Sequence, residues 1–346
     1  FLKEGGFEMN RIKTCVSLYS LQCEFMAGTM KLEDVFRYMK ELEVEGIELL
    51  PDQMLHGTPE PSEETYAEWD RLVEKYGLDL ACDDIFLNTN LYKNRELTKR
   101  ECVDLIKKEI VMAHRLGFKV IRLVSMVPAW VLEPVLPTAE KYGISLCIEI
   151  HGGLGFDVPK TEEFLQEMLR LNSPYIGIVP DASLFCKRVP RVITEYYKQV
   201  FGTSDEIVRF VDEIFARGSD LFSEGKGIDI YHVPGLSEHI VNKEADEAYA
   251  GNVFGFENRD LSCMDPYVKN IQHFHFKLYE MTDEGEEYSI DYREILEYLH
   301  KHGYDGYVST EYEGNRWVLP GCEIPEKEQI AKHQKMLKKL LKEIQG

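Results

Sequence analysis

The sequence predicts a single closed (β/α)8 barrel, a TIM barrel, for residues 9–346, with a long helical insertion at about residues 183–265. Three observations lead to this fold class: a recurring helix–turn–strand unit, eight short apolar strands, and a regular spacing with one exception. Alternation of helices and apolar strands is typical of parallel strands joined by crossover helices. Eight such units match a closed barrel, and an open doubly wound sheet is the alternative.

Each unit combines an amphipathic helix, a glycine or turn, and a short apolar strand, although some units show only the strand clearly. The eight strand-bearing segments are VSLYSL (16–21), ELEVEGIELL (41–50), VEKYGLDLACDD (73–84), AHRLGFKVIRLV (113–124), AEKYGISLCIEI (139–150), YIGIVPD (175–181), IQHFHFK (271–277) and HKHGYDGYVSTEYEG (300–314).

The connection between the sixth and seventh strands is the exception in spacing. It contains the helical patterns VITEYYKQVF, DEIVRFVDEIFARG and ADEAYAGNVF. It also follows the C-terminal end of a strand, which is the side on which barrels hold their active sites. We therefore expect residues 183–265 to form a lid, a partner-docking surface, or both; a passive insertion is the alternative.

Composition excludes several classes of protein. The chain has 346 residues and a formal net charge of −21, which argues against binding to nucleic acid. No apolar run of about 18 residues indicates a membrane span. The eight cysteines include no CxxC pair and favour reduced thiols in a cytosolic protein. Residues 1–8 lack the features of a signal peptide and are interpreted as an N-terminal extension or a cloning remnant.

Polar side chains occupy the ends of several predicted core strands. The stretch CIEIHGG places Glu149 and His151 on one face of the fifth strand. Asp181, His275 and Glu311 lie near the ends of the next three strands. Because uncompensated burial of charge is costly, these groups need pairing, solvent or a cation. The C-terminal ends of barrel strands meet at one mouth, so we expect the side chains to converge there.

The converging groups have the chemistry of a metal site. The predicted ligands are Glu149, Asp181, His275 and Glu311. Three carboxylates and one imidazole, without a thiolate, suit one divalent ion: Mn²⁺ or Mg²⁺ first, with Co²⁺ and Zn²⁺ as further candidates. Separate surface or salt-bridged roles for the four residues are the alternative.

These motifs resemble those of the xylose-isomerase-like barrels, the sugar (phosphate) isomerase/epimerase superfamily. The resemblance spans nearly the whole chain and is carried by IEIHGG, VPDAS, HFHFK and TEYEG. With the long sixth connection, the motifs are most similar to the α subunits of bacterial C-glycoside deglycosidases. The sequence lacks the additional histidines of the superfamily's DNA-repair endonucleases, and ordinary epimerases lack so long a sixth connection.

The resemblance implies a function and an assembly. It implies cleavage of the carbon–carbon glycosidic bond of 3-oxo-C-glucosides of aromatic, flavonoid-type aglycones, by metal-stabilised enolate formation and β-elimination. It further implies one divalent metal, with Mn²⁺ as first choice, and a hetero-oligomer with a small β subunit in the bacterial cytoplasm. A sugar (phosphate) isomerase, epimerase or dehydratase acting on a keto sugar is the alternative, and a non-catalytic sugar-binding or scaffold subunit is the third.

His151 is the predicted catalytic base, because it follows Glu149 by two positions on the same face. A residue that orients Glu149 is its alternative role, and a glutamate is the alternative base. The glycines of GGLG are expected to leave room for a sugar, since their spacing is not that of a phosphate loop. The predicted substrate contacts are Lys277, Glu313, Asp84, His56 and Trp317.

Overall fold

A computed structural model describes residues 11–87, 89, 94–124, 127–218, 230 and 233–346. The parallel strands in this part of the chain are β1 (Lys13–Ser17), β2 (Gly46–Leu49), β3 (Asp79–Ile85), β4 (Val120–Leu123), β5 (Ser145–Ile150), β6 (Ile176–Pro180), β7 (Phe274–Leu278) and β8 (Tyr307–Tyr312). They form one sheet in the order β6-β5-β4-β3-β2-β1-β8-β7. Bridges from Ile178 to Ile271 and from Asp181 to His275 link its two ends. The predicted (β/α)8 barrel is confirmed, whereas the predicted extension at residues 1–8 lies outside the described residues.

Helices surround the sheet and alternate with its strands. Those in the described ranges are α1 (Gln22–Met26), α2 (Leu32–Glu41), α3 (Pro51–Met54), α4 (Glu63–Tyr76), α5 (Lys99–Leu116), α6 (Leu132–Tyr142), α7 (Pro159–Leu171), α8 (Arg191–Tyr196), α9 (Asp205–Phe215), α10 (Lys243–Val253), α11 (Tyr292–Lys301) and α12 (Glu326–Gln345).

The glycine of the recurring unit ends the helix. Gly77, Gly117 and Gly143 follow α4, α5 and α6 with φ angles of 59°, 99° and 67°. Glycine adopts this left-handed conformation without steric cost, so it stops the helix and turns the chain into the next strand. At its other end, α5 begins with a capping box in which Thr98 and Glu101 satisfy each other's backbone N–H groups.

The first strand ends earlier than predicted. The prediction of a strand over VSLYSL is wrong for its second part, because β1 ends at Ser17 and Leu18–Leu21 is a 3-10 helix. The Ser20 hydroxyl donates to the Thr310 carbonyl oxygen and accepts from the Tyr312 N–H. This side chain therefore takes the place of backbone pairing with β8, and the chain turns.

The apolar core lies between the strands and the helices, whereas the barrel lumen is polar near the strand ends. Strand β7 shows both faces. Phe276 packs on Tyr292 of α11 with ring centroids 4.9 Å apart, while His275 and Lys277 face the lumen. All of these side chains are buried.

The connection between β6 and β7 contains α8, a π-helical turn at Tyr197–Phe201, α9, α10 and a 3-10 segment that leads into β7. Tyr196 and Tyr197 pack on Trp317, which follows β8, with ring centroids 5.8 and 5.9 Å apart. The helical insertion therefore lies at the C-terminal ends of the strands, the predicted side. Its limits at residues 183 and 265 stay a prediction.

Two global features complete the fold. Within the described residues, none of the helices has the length and apolar character needed to cross a membrane. The eight cysteines all lie in the described part of the chain and are free thiols.

Candidate active site

Four side chains meet at the C-terminal mouth of the barrel. Glu149 lies in β5, Asp181 follows β6, and His275 and Glu311 lie in β7 and β8. One ligand atom from each lies within 4.8 Å of the others. His275 Nδ1 lies 3.4 Å from Glu149 Oε1, 3.6 Å from Asp181 Oδ2 and 3.3 Å from Glu311 Oε2. The structure thus brings together the four residues predicted as metal ligands.

The donor set fits a divalent cation. Asp181 Oδ2 and Glu311 Oε2 are buried and make no hydrogen bond. Besides His275 Nδ1, they contact Lys277 Nζ at 3.4 and 3.1 Å. Buried polar atoms without hydrogen bonds are rare in native proteins. Around them, carboxyl groups outnumber the two basic side chains, Arg122 and Lys277. Excess negative charge and unsatisfied oxygens are what a hard divalent ion requires.

Glu48 in β2 is a site residue that the sequence analysis missed. It is fully buried, and it accepts hydrogen bonds from His275 Nε2 at 2.7 Å and from His273 Nε2 at 2.6 Å. A neutral imidazole carries one proton, so a proton on Nε2 leaves the His275 Nδ1 lone pair facing the predicted ligands. The sequence signal was available, because Glu48 is a lone carboxylate in the apolar stretch GIELL, as Glu149 is in CIEI.

Arg122 in β4 is the second missed residue. Its Nη1 donates to Glu149 Oε1 at 2.8 Å and to His275 Nδ1 at 3.2 Å. Arginine only donates, so this contact independently assigns His275 Nδ1 as an acceptor. A charged residue in the apolar stretch VIRLV was the signal that could have found it.

Nearby cations keep the candidate ligands ionised. Burial alone would raise the pKa of Glu149, but the positive charge of Arg122 holds that pKa well below its usual value. Burial likewise opposes ionisation of Glu311, yet the positive charge of Lys277 is the main influence that lowers its pKa to about 2. Both side chains are therefore carboxylates, the form that coordinates metals.

His151 lies directly after β5 and lines the central cavity. Its Nδ1 contacts the carbonyl oxygen of Gly152 at 2.7 Å. A carbonyl oxygen only accepts, so Nδ1 carries the proton and Nε2 of the neutral ring has a free lone pair. This tautomer is the one that lets Nε2 act as a general base, the role predicted for His151.

The central cavity measures about 430 Å³ and combines a polar floor with an aromatic wall. Three of the predicted substrate contacts, Lys277, Glu313 and Trp317, line it. Its aromatic residues are Tyr19, Phe86, Phe256, Tyr279 and Trp317. A cavity of this size and lining suits a polar ring joined to an aromatic group.

The other two predicted contacts, Asp84 and His56, do not line the described central cavity. Asp84 accepts a hydrogen bond from Arg122 Nε at 2.7 Å. Burial raises the pKa of Asp84 well above its usual value, although Arg122 opposes this effect. His56 is exposed and lines a separate groove with Phe25 and Met54.

The glycines after His151 make room for the protein's own chain. A Cβ atom on Gly152 would lie 2.8 Å from the carbonyl oxygen of Gly255, and one on Gly155 would lie 2.6 Å from Glu257 Oε2. Both neighbours come from the helical insertion. The insertion fills the space beside these two glycines, whereas the backbone of Gly152 also lines the central cavity. Room for a sugar at the glycines therefore stays a prediction.

Comparison with known proteins supports this fold. The family model described as "Xylose isomerase-like TIM barrel" matches residues 36–186. A solved sugar phosphate isomerase/epimerase from Parabacteroides distasonis superposes with a TM-score of 0.53 and 13% sequence identity, covering 96% of this chain and 95% of that one. That level of identity speaks to the fold alone. The chain therefore has a (β/α)8 TIM-barrel fold, and residues 36–186 are similar to the xylose-isomerase-like family.

Two curated relatives extend the comparison beyond the fold. The 3'-dehydrocarminate deglycosidase alpha subunit of a Microbacterium species is 25% identical over 344 residues, 96% of each chain. A C-glycoside deglycosidase alpha subunit of Arthrobacter globiformis is 26% identical over 310 residues, covering 87% of this chain and 84% of the relative. The resemblance to C-glycoside deglycosidase α subunits is confirmed, and these relatives support the interpretation of the chain as an enzyme.

Proposed function

We propose that the protein is the α subunit of a metal-dependent C-glycoside deglycosidase, a carbon–carbon lyase acting on 3-oxo-C-glucosides of aromatic, flavonoid-type aglycones. The observation that carries this proposal is the convergence of the four predicted metal ligands near His151, at a cavity with an aromatic wall. The similarity to deglycosidase α subunits over most of the chain supports it.

The residues that would hold the metal are Glu149, Asp181, His275 and Glu311. A divalent ion such as Mn²⁺ supplies Lewis acidity towards a carbonyl oxygen when bound. Glu48 would keep the His275 proton on Nε2, so that Nδ1 stays available to the ion.

His151 would act as the base. Its Nε2 would take the proton from carbon 2 of the sugar, next to the ketone at carbon 3, and the electron pair of the C–H bond would move towards the ketone oxygen. That pair would then form the double bond between carbons 1 and 2 as the bond from carbon 1 to the aglycone breaks. The aglycone carbon keeps the bonding pair and takes up one proton, so the reaction is an elimination that consumes no water.

Lys277 and the aromatic wall would position the substrate. Lys277 Nζ lies 3.1 Å from Glu311 Oε2 and faces the cavity, where its fixed positive charge would stabilise negative charge developing on the sugar oxygen. Glu313 lies 3.4 Å from the same Nζ atom and restrains it. The face of Trp317 would stack on the aglycone ring.

The proposal includes a small β subunit, based on the α-subunit names of the relatives. Aromatic residues of the insertion at the cavity mouth, including Tyr196 and Phe201, offer apolar surface on the side where such a subunit would influence substrate binding. Eight free thiols are consistent with the expectation of a bacterial cytoplasmic protein.

A reconstitution experiment tests the function. Purified protein is incubated with Mn²⁺ and a 3-oxo-C-glucoside, with and without candidate small subunits, and released aglycone is measured by chromatography. His151→Phe should abolish release while the metal content remains about one ion per chain; Glu149→Ala should lose the metal. His302→Ala, at an exposed histidine on the outer surface, is the matched control. Epimerisation of a free ketose without aglycone release would instead favour the isomerase function.

A further inference from the structure

One peptide unit connects His151 to a buried acid of the helical insertion. The carbonyl oxygen of Gly152 accepts from His151 Nδ1 at 2.7 Å. The N–H of the same peptide unit belongs to Gly153 and donates to Glu257 Oε1 at 2.9 Å. The carboxyl group, the peptide and the imidazole therefore form one continuous hydrogen-bonded chain.

From this geometry we propose that Glu257 is a positioning residue for His151, acting through the Gly152–Gly153 peptide. This inference rests on the proposed role of His151 as base. Glu257 holds the peptide plane by its N–H, and the peptide in turn holds the Nδ1–H group by its carbonyl oxygen. The result is a fixed ring orientation and a fixed tautomer, with the Nε2 lone pair available to the cavity.

Hydrogen-bond polarity supports a directional relay. The peptide N–H can only donate and the peptide oxygen can only accept, so both hydrogen bonds run in the same direction: His151 donates to the peptide, and the peptide donates to Glu257. A hydrogen bond from a peptide N–H to a carboxylate is stronger than one to a neutral acceptor. Chains of hydrogen bonds polarise one another in a buried site, which strengthens the hold on His151.

Glu257 is itself firmly held. Its side chain is buried and forms an ion pair with Arg259, and Arg259 Nη2 also donates to Asp157 Oδ1 at 2.5 Å. Its backbone is fixed as well, because Glu257 N donates to the Ser183 carbonyl oxygen at 3.2 Å and its own carbonyl accepts from Cys186 N at 2.9 Å. A carboxylate anchored at both backbone and side chain can define the position of the peptide that it binds.

A second contact holds the same loop. The N–H of Gly152 donates to Ser183 Oγ at 2.9 Å, and Ser183 N donates to Asp181 Oδ1 at 2.7 Å. The two peptide N–H groups after His151 are therefore both satisfied by side chains from outside the loop. Gly152 is required here by close approach, because its Cβ atom would collide with the Gly255 carbonyl oxygen at 2.8 Å.

The relay gives the end of the helical insertion a defined role. The segment from Gly255 to Arg259 braces the loop that carries the base, so it is part of the support of the site rather than a passive connection. The sequence separates Glu257 from His151 by the whole of α7, β6, α8, α9 and α10.

The tautomer of His151 is the direct test, and it needs no substrate. In ¹⁵N-histidine-labelled protein with Mg²⁺ in place of Mn²⁺, long-range ¹H–¹⁵N spectra distinguish a protonated Nδ1 from a protonated Nε2, and His151→Phe assigns the signals. We expect a protonated Nδ1 and unprotonated Nε2 in the wild type. A wild-type ring protonated on Nε2 would overturn the proposal before any variant is made.

Variants at Glu257 supply the second measurement. Glu257→Ala should shift the His151 ring towards mixed tautomers and lower kcat on the 3-oxo-C-glucoside by about 10- to 100-fold, with KM and Mn²⁺ affinity within about twofold of wild type. Glu257→Gln keeps an oxygen acceptor for Gly153 N–H and should restore most of the kcat. Glu280→Ala is the matched control. Glu280 follows β7 and accepts a hydrogen bond from Arg191 of the insertion, so the variant removes another acid–arginine contact at the same end of the barrel.

The outcomes separate this inference from the proposed function. If the wild type releases no aglycone but Glu257→Ala still changes the His151 tautomer, the relay holds and the deglycosidase function fails. If Glu257→Ala leaves both the tautomer and kcat unchanged, the relay is refuted whatever the reaction. Should Glu257→Ala not fold, Glu257→Gln and the wild-type spectrum decide.

Discussion

Glu48→Ala probes the support of the proposed metal ligand most directly. The two carboxylate oxygens of Glu48 accept from His275 Nε2 at 2.7 Å and from His273 Nε2 at 2.6 Å. Replacement by alanine removes both acceptors from a fully buried position. The proton of His275 is then no longer confined to Nε2, and part of the population carries it on Nδ1, where it blocks coordination.

The size of the effect follows from these contacts. Loss of a carboxylate that orients a metal-binding histidine weakens metal affinity by about 10- to 100-fold, or about 1.4–2.7 kcal/mol. Each buried N–H left without an acceptor costs about 1–3 kcal/mol of folding free energy, so the metal-free variant should also unfold more easily. Burial alone would raise the pKa of Glu48, but its two histidine partners and Arg122 hold it well below the usual value, so a full charge is removed.

The assay measures affinity and stability on the same samples. Protein stripped with a chelator is titrated with Mn²⁺ by calorimetry, and thermal unfolding is followed with and without Mn²⁺ in excess. At about 100 times the Kd, a ligand stabilises the folded state by about 2.7 kcal/mol, so the wild type should gain more from added Mn²⁺ than the variant does. Glu48→Gln keeps one acceptor oxygen and should fall between the two.

Asp246→Ala is the matched control, because Asp246 is a fully buried carboxylate of the insertion that accepts from Ser204 N at 2.8 Å, away from the barrel lumen. It should lower the melting temperature without changing the Kd for Mn²⁺. The reasoning is refuted if Glu48→Ala binds Mn²⁺ within about twofold of the wild type.

Three further predictions address the loop, the core and the cavity wall. Gly152→Ala should lower the melting temperature and kcat together, because the new Cβ would lie 2.8 Å from the Gly255 carbonyl oxygen. The control is Gly251→Ala in α10, whose new Cβ would have its nearest contact at 3.8 Å; it should be neutral or stabilising by up to about 1 kcal/mol. Equal effects of the two variants would contradict the close packing of the loop against the insertion. Burial raises the pKa of Glu109 to about 8 from 4.5, so the folded protein retains a proton that the unfolded chain releases, and stability falls as pH rises between those values. Glu109→Gln should therefore stabilise the protein more at pH 8 than at pH 5, with a difference in folding free energy of at most about 1–3 kcal/mol. Thermal unfolding at the two pH values measures this difference, and equal effects at both would count against a buried neutral acid. Trp317→Ala should raise KM for an aromatic 3-oxo-C-glucoside by about 2- to 10-fold with little change in kcat, whereas Trp317→Phe should retain most of the affinity. Steady-state kinetics measures both constants, and wild-type behaviour of both variants would exclude stacking on Trp317.

The sequence predicted the barrel and the four candidate ligands because both depend on short-range regularities. Alternation along each strand determines which side chains face the lumen, and the barrel geometry brings the C-terminal strand ends together. Glu149, Asp181, His275 and Glu311 were identified by that argument. Glu48 and Arg122 are likewise charged residues within apolar strands, but they lie on the second and fourth strands, whereas the four predicted ligands come from the consecutive strands five to eight.

Other predictions depended on distances that a sequence does not contain. His56 and Asp84 follow or end strands as the ligands do, yet His56 turns into a separate groove and Asp84 pairs with Arg122. The end of β1 was mispredicted because Ser20 replaces a backbone partner of β8, an interaction between segments at opposite ends of the chain.

The sequence by itself determined the fold class, the face of each strand and the chemical nature of the residues at the barrel mouth, since these follow from periodicity and residue type. The tertiary structure decided which histidine nitrogen faces the ligands, which cations keep the carboxylates ionised, and which acid of the insertion holds the loop of His151. Those features are contacts between segments far apart in the chain, and the register of the strands and the packing of the insertion determine their geometry. Glu257 illustrates the difference: nothing in its sequence neighbourhood marks it, and it matters because folding brings its carboxylate to 2.9 Å from Gly153 N.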